Sequence, residues 1–252
     1  MVDIHSHILP GLDDGAKDLA ESLAMLRLAA ESGTTDIVAT PHANHDYRFQ
    51  PERIEEKIAE LEAAVGAAIR IHRGCDFHLT YDNIQEALAH PTKYAINHYR
   101  YVLVEFSDLL IPKSTEDVFY RMQAAGMVLI ITHPERNPLL YRKLDQVGDW
   151  VAAGCLLQVT AHSLAGLFGR QAKEFAHRLL ERNLVHFIAS DAHDSEFRTP
   201  ALKDAYDYVA RKFGPARAEA LLVTNPRATL TGDPVELPET EPPAPKKWCR
   251  FW

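Results

Sequence analysis

Short apolar runs of six to ten residues alternate along this chain with longer segments whose apolar positions recur at helical spacing. Seven such runs stand out: "VDIHSHI" from Val2, "TDIVATPH" from Thr35, "AIRIHRGCDF" from Ala68, "YVLVEF" from Tyr101, "MVLIITHP" from Met127, "CLLQVTAHS" from Cys155 and "VHFIASDAH" from Val185. Between the first two, Leu19, Leu23, Leu26 and Ala30 mark one face of a helix, with Asp18 and Glu21 as a capping box and Gly33 as its stop. Further helices are predicted at about 51–67, 115–125, 142–153, 169–183 and 200–213, each followed by a turn and the next apolar run. Strand and helix in strict alternation predict βα units around a parallel sheet or barrel.

The polar residues that close these runs are not random. His5 and His7 end the first, with Asp14 in the loop behind them; His42 ends the second, Asp76 the third, Glu105 the fourth, His133 the fifth, and Asp191 with His193 the seventh. In a parallel barrel, ligands come from the carboxyl ends of strands and the loops just after them. Residues two apart on a strand share a face, so His5 with His7 and Asp191 with His193 each place two donors side by side. A single strand-end histidine is more often a packed core residue. Concurrence at six of the seven runs points instead to a metal cluster, with carboxylates bridging divalent ions about 3.5 to 4 Å apart. Mixed imidazole and carboxylate donors suit manganese, iron or zinc. His162, at the end of the sixth run, is either a group behind the ligands or a structural one, and His72, His78, His90, His98, His177 and His186 are read as surface or packing residues.

Composition narrows the field. At 252 residues and 28.3 kDa, with 46% hydrophobic and 25% charged residues, the chain fits one large soluble domain. A net charge of −8 and the lack of a basic block inside the folded region argue against nucleic acid as a partner. No apolar stretch is long enough to cross a bilayer and no leader pattern opens the chain, so a cytoplasmic location is expected. Cys75, Cys155 and Cys249 lie far apart, which fits reduced thiols better than a disulfide framework or a zinc knuckle. From Asp233 the sequence turns rich in proline and acid, so a domain over 1–232 is expected to give way to a tail over 233–252. That tail ends in "KKWCRFW", where Trp248, Phe251 and Trp252 could bury while Lys246, Lys247 and Arg250 meet anionic headgroups; the expectation is a weak contact with the inner membrane surface or a membrane-bound kinase, set against a disordered end.

The segments "DIHSHILPGLDDG", "ATPH", "EFS", "THPER" and "IASDAH" resemble, in order, the motifs of the PHP family, named for polymerase and histidinol phosphatase. Within it the likeness is to the bacterial protein-tyrosine phosphatases of capsule and exopolysaccharide loci, over about residues 1 to 231. The resemblance implies an α/β fold of the distorted (β/α)7 TIM-like barrel type, with up to three divalent ions, manganese first and iron or zinc as alternatives, at the carboxyl face. It implies His5, His7, Asp14, His42, Glu105, His133, Asp191 and His193 as ligands, with Asp76 in an acidic position that relatives often fill with Glu. The substrate it implies is a phosphotyrosine protein, a bacterial tyrosine kinase of polysaccharide export.

The implied chemistry is hydrolysis by water activated on the cluster, whose pKa falls from 15.7 toward about 7. The residues agree by what they lack: none of the cysteines is followed six positions later by arginine, and no strand ends in D-x-D, so neither a cysteinyl nor an aspartyl intermediate is supported. Arg136, three residues after His133, and Arg198, five after His193, are the candidates for gripping the phosphoryl oxygens, because a guanidinium fork matches that geometry. Asp194 and Glu135 are open alternatives for a general acid, although a phenolate of pKa near 10 departs without much help. Two other functions stay in view: a small-molecule phosphomonoesterase such as histidinol phosphatase, and a scaffold whose metal site has lost turnover.

Overall fold

The computed structural model of the protein describes residues 1–235. Nine parallel strand segments run in the order β1 (Val2–Ser6), β2 (Asp36–Ala39), β3 (His42–Ala43), β4 (Arg70–Arg73), β5 (Asp76–His78), β6 (Tyr101–Glu105), β7 (Val128–Thr132), β8 (Leu156–Thr160) and β9 (Phe187–Ala189). β1 pairs with β2 and β2 with β4, while β3, β5, β6, β7, β8 and β9 pair in succession. β2 with β3, and β4 with β5, are two halves of the same staves. Pro41 interrupts the first because it has no N–H to donate, and its carbonyl instead accepts from Asp76 N at 3.2 Å. Gly74 interrupts the second, where a Cβ would lie 2.7 Å from Val38 Cγ1.

Counted this way the strands make seven staves, and the ring closes. Ser6 bridges Ala192 in parallel, His7 N donates to the Ala192 carbonyl at 2.8 Å, and Asp191 N donates to the His5 carbonyl at 2.8 Å. The expected (β/α)7 barrel is therefore the observed fold. An inner apolar cluster draws Val2, Ile4, Val38, Leu103, Ile130, Leu156 and Phe187 from staves all round the ring, with Leu230 among them, so it fills the barrel rather than coating it. A second, larger cluster lies between the strands and the helices.

The crossovers follow the apolar periodicity. α1 (Leu19–Glu31) is capped by Asp18, whose side chain accepts from Glu21 N at 3.0 Å, but the box is not reciprocal: Glu21 Oε1 accepts from Ser195 N and Oγ, each at 3.2 Å. α2 (Pro51–Val65), α4 (Thr115–Ala124), α5 (Leu144–Ala152), α7 (Gly169–Glu181) and α8 (Lys203–Phe213) match the predicted helices within three residues at each end. Unpredicted are α3 (Tyr81–Ala89), α6 (Ala161–Ala165), α9 (Pro215–Glu219) and α10 (Asn225–Thr231). α3 is short, polar and buries only Ala87, so its apolar stripe is too thin to register as a period. Among the described residues no helix is long and apolar enough to cross a membrane. The "KKWCRFW" segment lies outside the described residues.

Candidate metal centre

The carboxyl ends of the staves bring all nine sequence-predicted donors together. His5, His7, Asp76, His133, Asp191 and His193 are buried, and His42, Asp14 and Glu105 complete the cluster nearer its rim. Among the described residues four groups have donor atoms within 4.8 Å of one another: His7, Asp14, His42 and His193; His42, Asp76, His78 and Glu105; His5, His7 and Asp76; and His5, His133 and Asp191. Shared members knit the groups into one continuous centre. Asp191 Oδ1 lies 3.5 Å from His5 Nε2 and 3.4 Å from His7 Nε2. Asp76 Oδ2 lies 2.9 Å from His42 Nδ1, and Glu105 Oε1 lies 3.6 Å from His133 Nε2.

His78 belongs here, contrary to its reading as a surface or packing residue. It stands two places after Asp76 on β5, on the same face, and its Nε2 meets Glu105 Oε2 directly. The signal was present, since Asp76 and His78 repeat the D-x-H spacing of Asp191 and His193. Asp13 is a second residue that spacing did not single out. Its side chain is buried, accepts a 2.7 Å hydrogen bond from His7 Nδ1 and a 3.1 Å bond from His42 N, and so turns His7 Nε2 toward the centre. Gln158 does the same for His5, with Oε1 3.0 Å from His5 Nδ1. Carboxylates and amides behind a ligating imidazole fix its tautomer and ring direction.

The donors fit a cation cluster on their own chemistry. His42 Nδ1, both oxygens of Asp76, His78 Nε2 and Glu105 Oε2 are buried against other donors of the cluster without a well-aligned hydrogen bond, and His5 Nε2 and His7 Nε2 face each other at 3.3 Å. Buried polar atoms left unpaired are costly. Positive charge placed among these lone pairs would remove that cost, and two divalent ions would match the four negative charges of Asp14, Asp76, Glu105 and Asp191. Burial, reinforced by the neighbouring His7 and His133, holds His5 well below the ordinary imidazole range. Burial likewise lowers His133, with Arg136 adding to the effect, and brings His193 down to about 3. Neutral imidazole is the form that ligates a metal. Asp76 is pushed up to about 6 by burial and by the charge of Glu105. For His42, burial is outweighed by Asp14 and Asp76, which raise it to about 11.

Backbone geometry marks the same residues. His133 (φ 29°) and Asp191 (φ 51°) sit in the left-handed region, which side-chain-bearing residues seldom occupy without surrounding structure to enforce it. The loop behind β1 is equally constrained: a Cβ on Gly15 would lie 2.0 Å from the His7 carbonyl oxygen. The "DDG" of the opening motif therefore supplies an orienting carboxylate, a ligand candidate and the one residue small enough to pass beneath His7.

Arg136 and Arg198 reach the centre from the loops after β7 and β9. Both guanidiniums meet Asp191 Oδ2, Arg198 Nη2 at 2.7 Å, and a small cavity of about 70 Å³ beside Arg136 is lined by Glu105, Phe106, Asp108, His133 and Asn137. The wider grooves lined by Arg48, Glu52 and Lys93, or by His162 and Tyr208, contain none of the candidate ligands. Glu135 and Asp194 are engaged elsewhere. Glu135 is fully buried and accepts from Thr160 N at 2.9 Å and Ser163 Oγ at 2.7 Å; Asp194 accepts backbone N–H bonds from Glu196, Phe197 and Arg198. His162 joins none of the four groups and sits 3.4 Å from Thr199 Oγ1. His72 pairs with Asp36 at 3.0 Å and His177 with Tyr208 at 3.0 Å, and His186 is buried in the fold, in keeping with their reading as packing or surface groups. Burial pushes the Cys75 thiol well up and that of Cys155 to about 12, so neither is available as a thiolate.

The chain is 35% identical over 251 residues to the tyrosine-protein phosphatase YwqE of Bacillus subtilis, covering 98% of this chain and 97% of that one. It is 36% identical over 254 residues to the putative tyrosine-protein phosphatase CapC of Staphylococcus aureus, with 98% of each covered. A crystal structure from work on YwqE of Bacillus subtilis and CpsB of Streptococcus pneumoniae, described as unique metal-dependent tyrosine phosphatases, superposes with a TM-score of 0.88 at 33% identity over 96% of this chain and 99% of that one. The profile of the CpsB/CapC family, capsular polysaccharide synthesis, matches residues 1–231. The chain belongs to the CpsB/CapC family of capsular polysaccharide synthesis proteins.

Proposed function

We propose that this protein is a metal-dependent phosphotyrosine-protein phosphatase whose centre is built from His5, His7, Asp14, His42, Asp76, Glu105, His133, Asp191 and His193, joined by His78. The observation that carries the reading is the crowding of buried nitrogen and oxygen atoms of His42, Asp76, His78 and Glu105 against one another, with no well-aligned hydrogen bond to satisfy them, in a chain whose relatives are named tyrosine-protein phosphatases. When bound, a divalent cluster supplies Lewis acidity that lowers the pKa of water and draws charge from phosphoryl oxygens. Manganese is the first candidate for it, iron and zinc the alternatives.

The chain's own groups do the rest. Asp13 and Gln158 hold His7 and His5 in register. Arg136 and Arg198 turn their N–H forks from Asp191 to the equatorial oxygens of the phosphoryl group, where charge spreads as the ester bond lengthens. The phenolate of the product, with a pKa near 10, leaves without a dedicated acid, which agrees with the engagement of Glu135 and Asp194 in backbone contacts. No side chain is needed as nucleophile, and the two buried thiols are unsuited to the role.

The finer reading is that the substrate is a tyrosine kinase of polysaccharide export, met at the cytoplasmic face of the membrane. Residues 1–232 are the catalytic unit, and the tail over 233–252 adds a weak surface contact. Metal analysis coupled to turnover of a phosphotyrosine peptide and of histidinol phosphate tests the activity. Bound manganese, iron or zinc with selective peptide hydrolysis is expected; preference for histidinol phosphate would move the protein to the small-molecule esterases. Full metal occupancy with no aryl phosphate hydrolysis would move it to a scaffold. Liposome flotation of the full chain against one ending at residue 240 tests the tail, and equal behaviour would retire its role.

A further inference from the structure

We propose that Phe168 is a positioning residue that holds the Arg136 and Arg198 guanidiniums over the pocket with their N–H donors free for phosphate. The inference rests on the arginine roles proposed above and deepens them. Arg136 Cζ lies 4.3 Å from the centre of the Phe168 ring and Arg198 Cζ lies 5.8 Å from it. Three separate loops therefore meet at one point: the exit of β7, the turn between α6 and α7, and the exit of β9. The turn is "GLFG", and its two glycines, Gly166 at φ 101° and Gly169 at φ 88°, take left-handed conformations that a Cβ would strain. They bring the chain sharply round so that Phe168, half-buried just ahead of α7, faces the arginines.

Two guanidiniums this close repel each other, and the hydrogen-bond acceptor they share is a single carboxylate oxygen, Asp191 Oδ2. The other oxygen of that carboxylate, Oδ1, faces His5 and His7, so a cation held there would draw off its charge and weaken its hold on the arginines. An aromatic face attracts both cations electrostatically yet accepts no N–H bond along the fork. A carboxylate in the place of Phe168 would hold the arginines equally well but compete with the phosphoryl group for the same donors. The ring thus confines the pair while leaving its hydrogen-bonding edge for the substrate, a form of preorganisation that lowers the ordering cost of binding.

The test compares Phe168→Leu, Phe168→Trp, Arg136→Ala and Arg198→Ala in the metal-loaded enzyme, reading KM and kcat on a phosphotyrosine peptide, inhibition by inorganic phosphate, metal content and thermal midpoint. For Phe168→Leu, KM and the inhibition constant of phosphate should rise together by about three- to tenfold, equivalent to roughly 0.7 to 1.4 kcal/mol, with metal content and thermal midpoint unchanged. Phe168→Trp, which keeps a π face, should stay within about threefold of the parent. In an Arg136→Ala background the Phe168→Leu effect should shrink, since one of the two cations it confines is gone. An undiminished effect in that background, or a Trp variant as impaired as the Leu variant, would overturn the proposal as a packing effect. Arginine variants that bind phosphate normally would overturn the arginine reading and this proposal together, whereas weakened arginine variants beside an unaffected Phe168→Leu would overturn this proposal alone.

Discussion

His7 Nδ1 donates to Asp13 Oδ2 at 2.7 Å, so the imidazole that shares donor groups with five other residues of the centre is steered from behind by the first of two adjacent aspartates. The same oxygen accepts from His42 N at 3.1 Å, which ties the loop after β1 to the start of β3. Burial works against the Asp13 charge, but His7 and the Gly15 N–H prevail and hold its pKa at about 2. Asp13→Asn keeps the shape and removes the charge. Its expected effect is a loss of metal affinity of about 10- to 100-fold, read by chelator competition with manganese, together with a lower thermal midpoint in the metal-free protein, because one side of the amide must place N–H against a donor that now meets a carboxylate oxygen, Gly15 N on one side or His7 Nδ1 and His42 N on the other. Unaltered affinity would show that His7 needs no carboxylate behind it.

His78 makes a sharper case, because it separates the geometric centre from the one read off the chain. Glu105 Oε2 and His78 Nε2 are buried in direct contact with each other, with no well-aligned hydrogen bond to a further partner. His78→Ala should therefore lower manganese affinity by at least about tenfold and reduce turnover of aryl phosphate at limiting metal, with excess metal restoring part of it. His90→Ala, on the exposed end of α3, is the control and should match the parent in both assays. Equal behaviour of the two variants would remove His78 from the centre.

The staves and their ligand-bearing ends were legible in the chain for one physical reason. Parallel strands buried on both faces must be aliphatic throughout, as in "YVLVEF" and "MVLIITHP", so a polar residue at the end of such a run announces where the strand leaves the core. The same logic hides Asp13, whose importance lies in a contact between a loop and a strand that no period encodes, and whose neighbour Asp14 looks identical in the sequence. His78 was obscured because the ladder between β5 and β6 runs one residue past Phe77, pairing His78 with Glu105. Breaks at Pro41 and Gly74 were equally silent, since both staves keep their direction across the interruption.

Gly15 carries a prediction about folding rather than chemistry. Any Cβ there would lie 2.5 Å from His7 Cβ and closer still to the His7 carbonyl, which is backbone and cannot swing aside. Gly15→Ala should cost at least about 2 kcal/mol, lowering the thermal midpoint by roughly 4 to 8 °C, with weakened metal binding because His7 must shift. Gly126→Ala provides the comparison: it is a left-handed glycine with nothing within 4 Å, so any loss there reports backbone strain without a clash. A Gly15→Ala variant as stable as the parent would mean that the loop after β1 has room the structure does not show.

His186 links the fold to pH away from the metal. Its ring is buried just before β9, with Nδ1 accepting from Leu157 N at 3.1 Å, and burial, aided by Arg217, lowers its pKa to about 4. Because the folded value lies below the unfolded one of about 6.5, the unfolded chain takes up a proton that the native state refuses. Stability from this group is thus complete above about pH 6.5 and is lost as the pH falls toward 4. Between pH 7.5 and pH 5 the loss amounts to roughly 2 kcal/mol. His186→Asn offers a non-titrating acceptor to Leu157 N. Urea unfolding at the two pH values in the presence of chelator should show the parent losing about 2 kcal/mol more than the variant; parallel losses would mean that His186 is already protonated, or already relieved, in the native barrel.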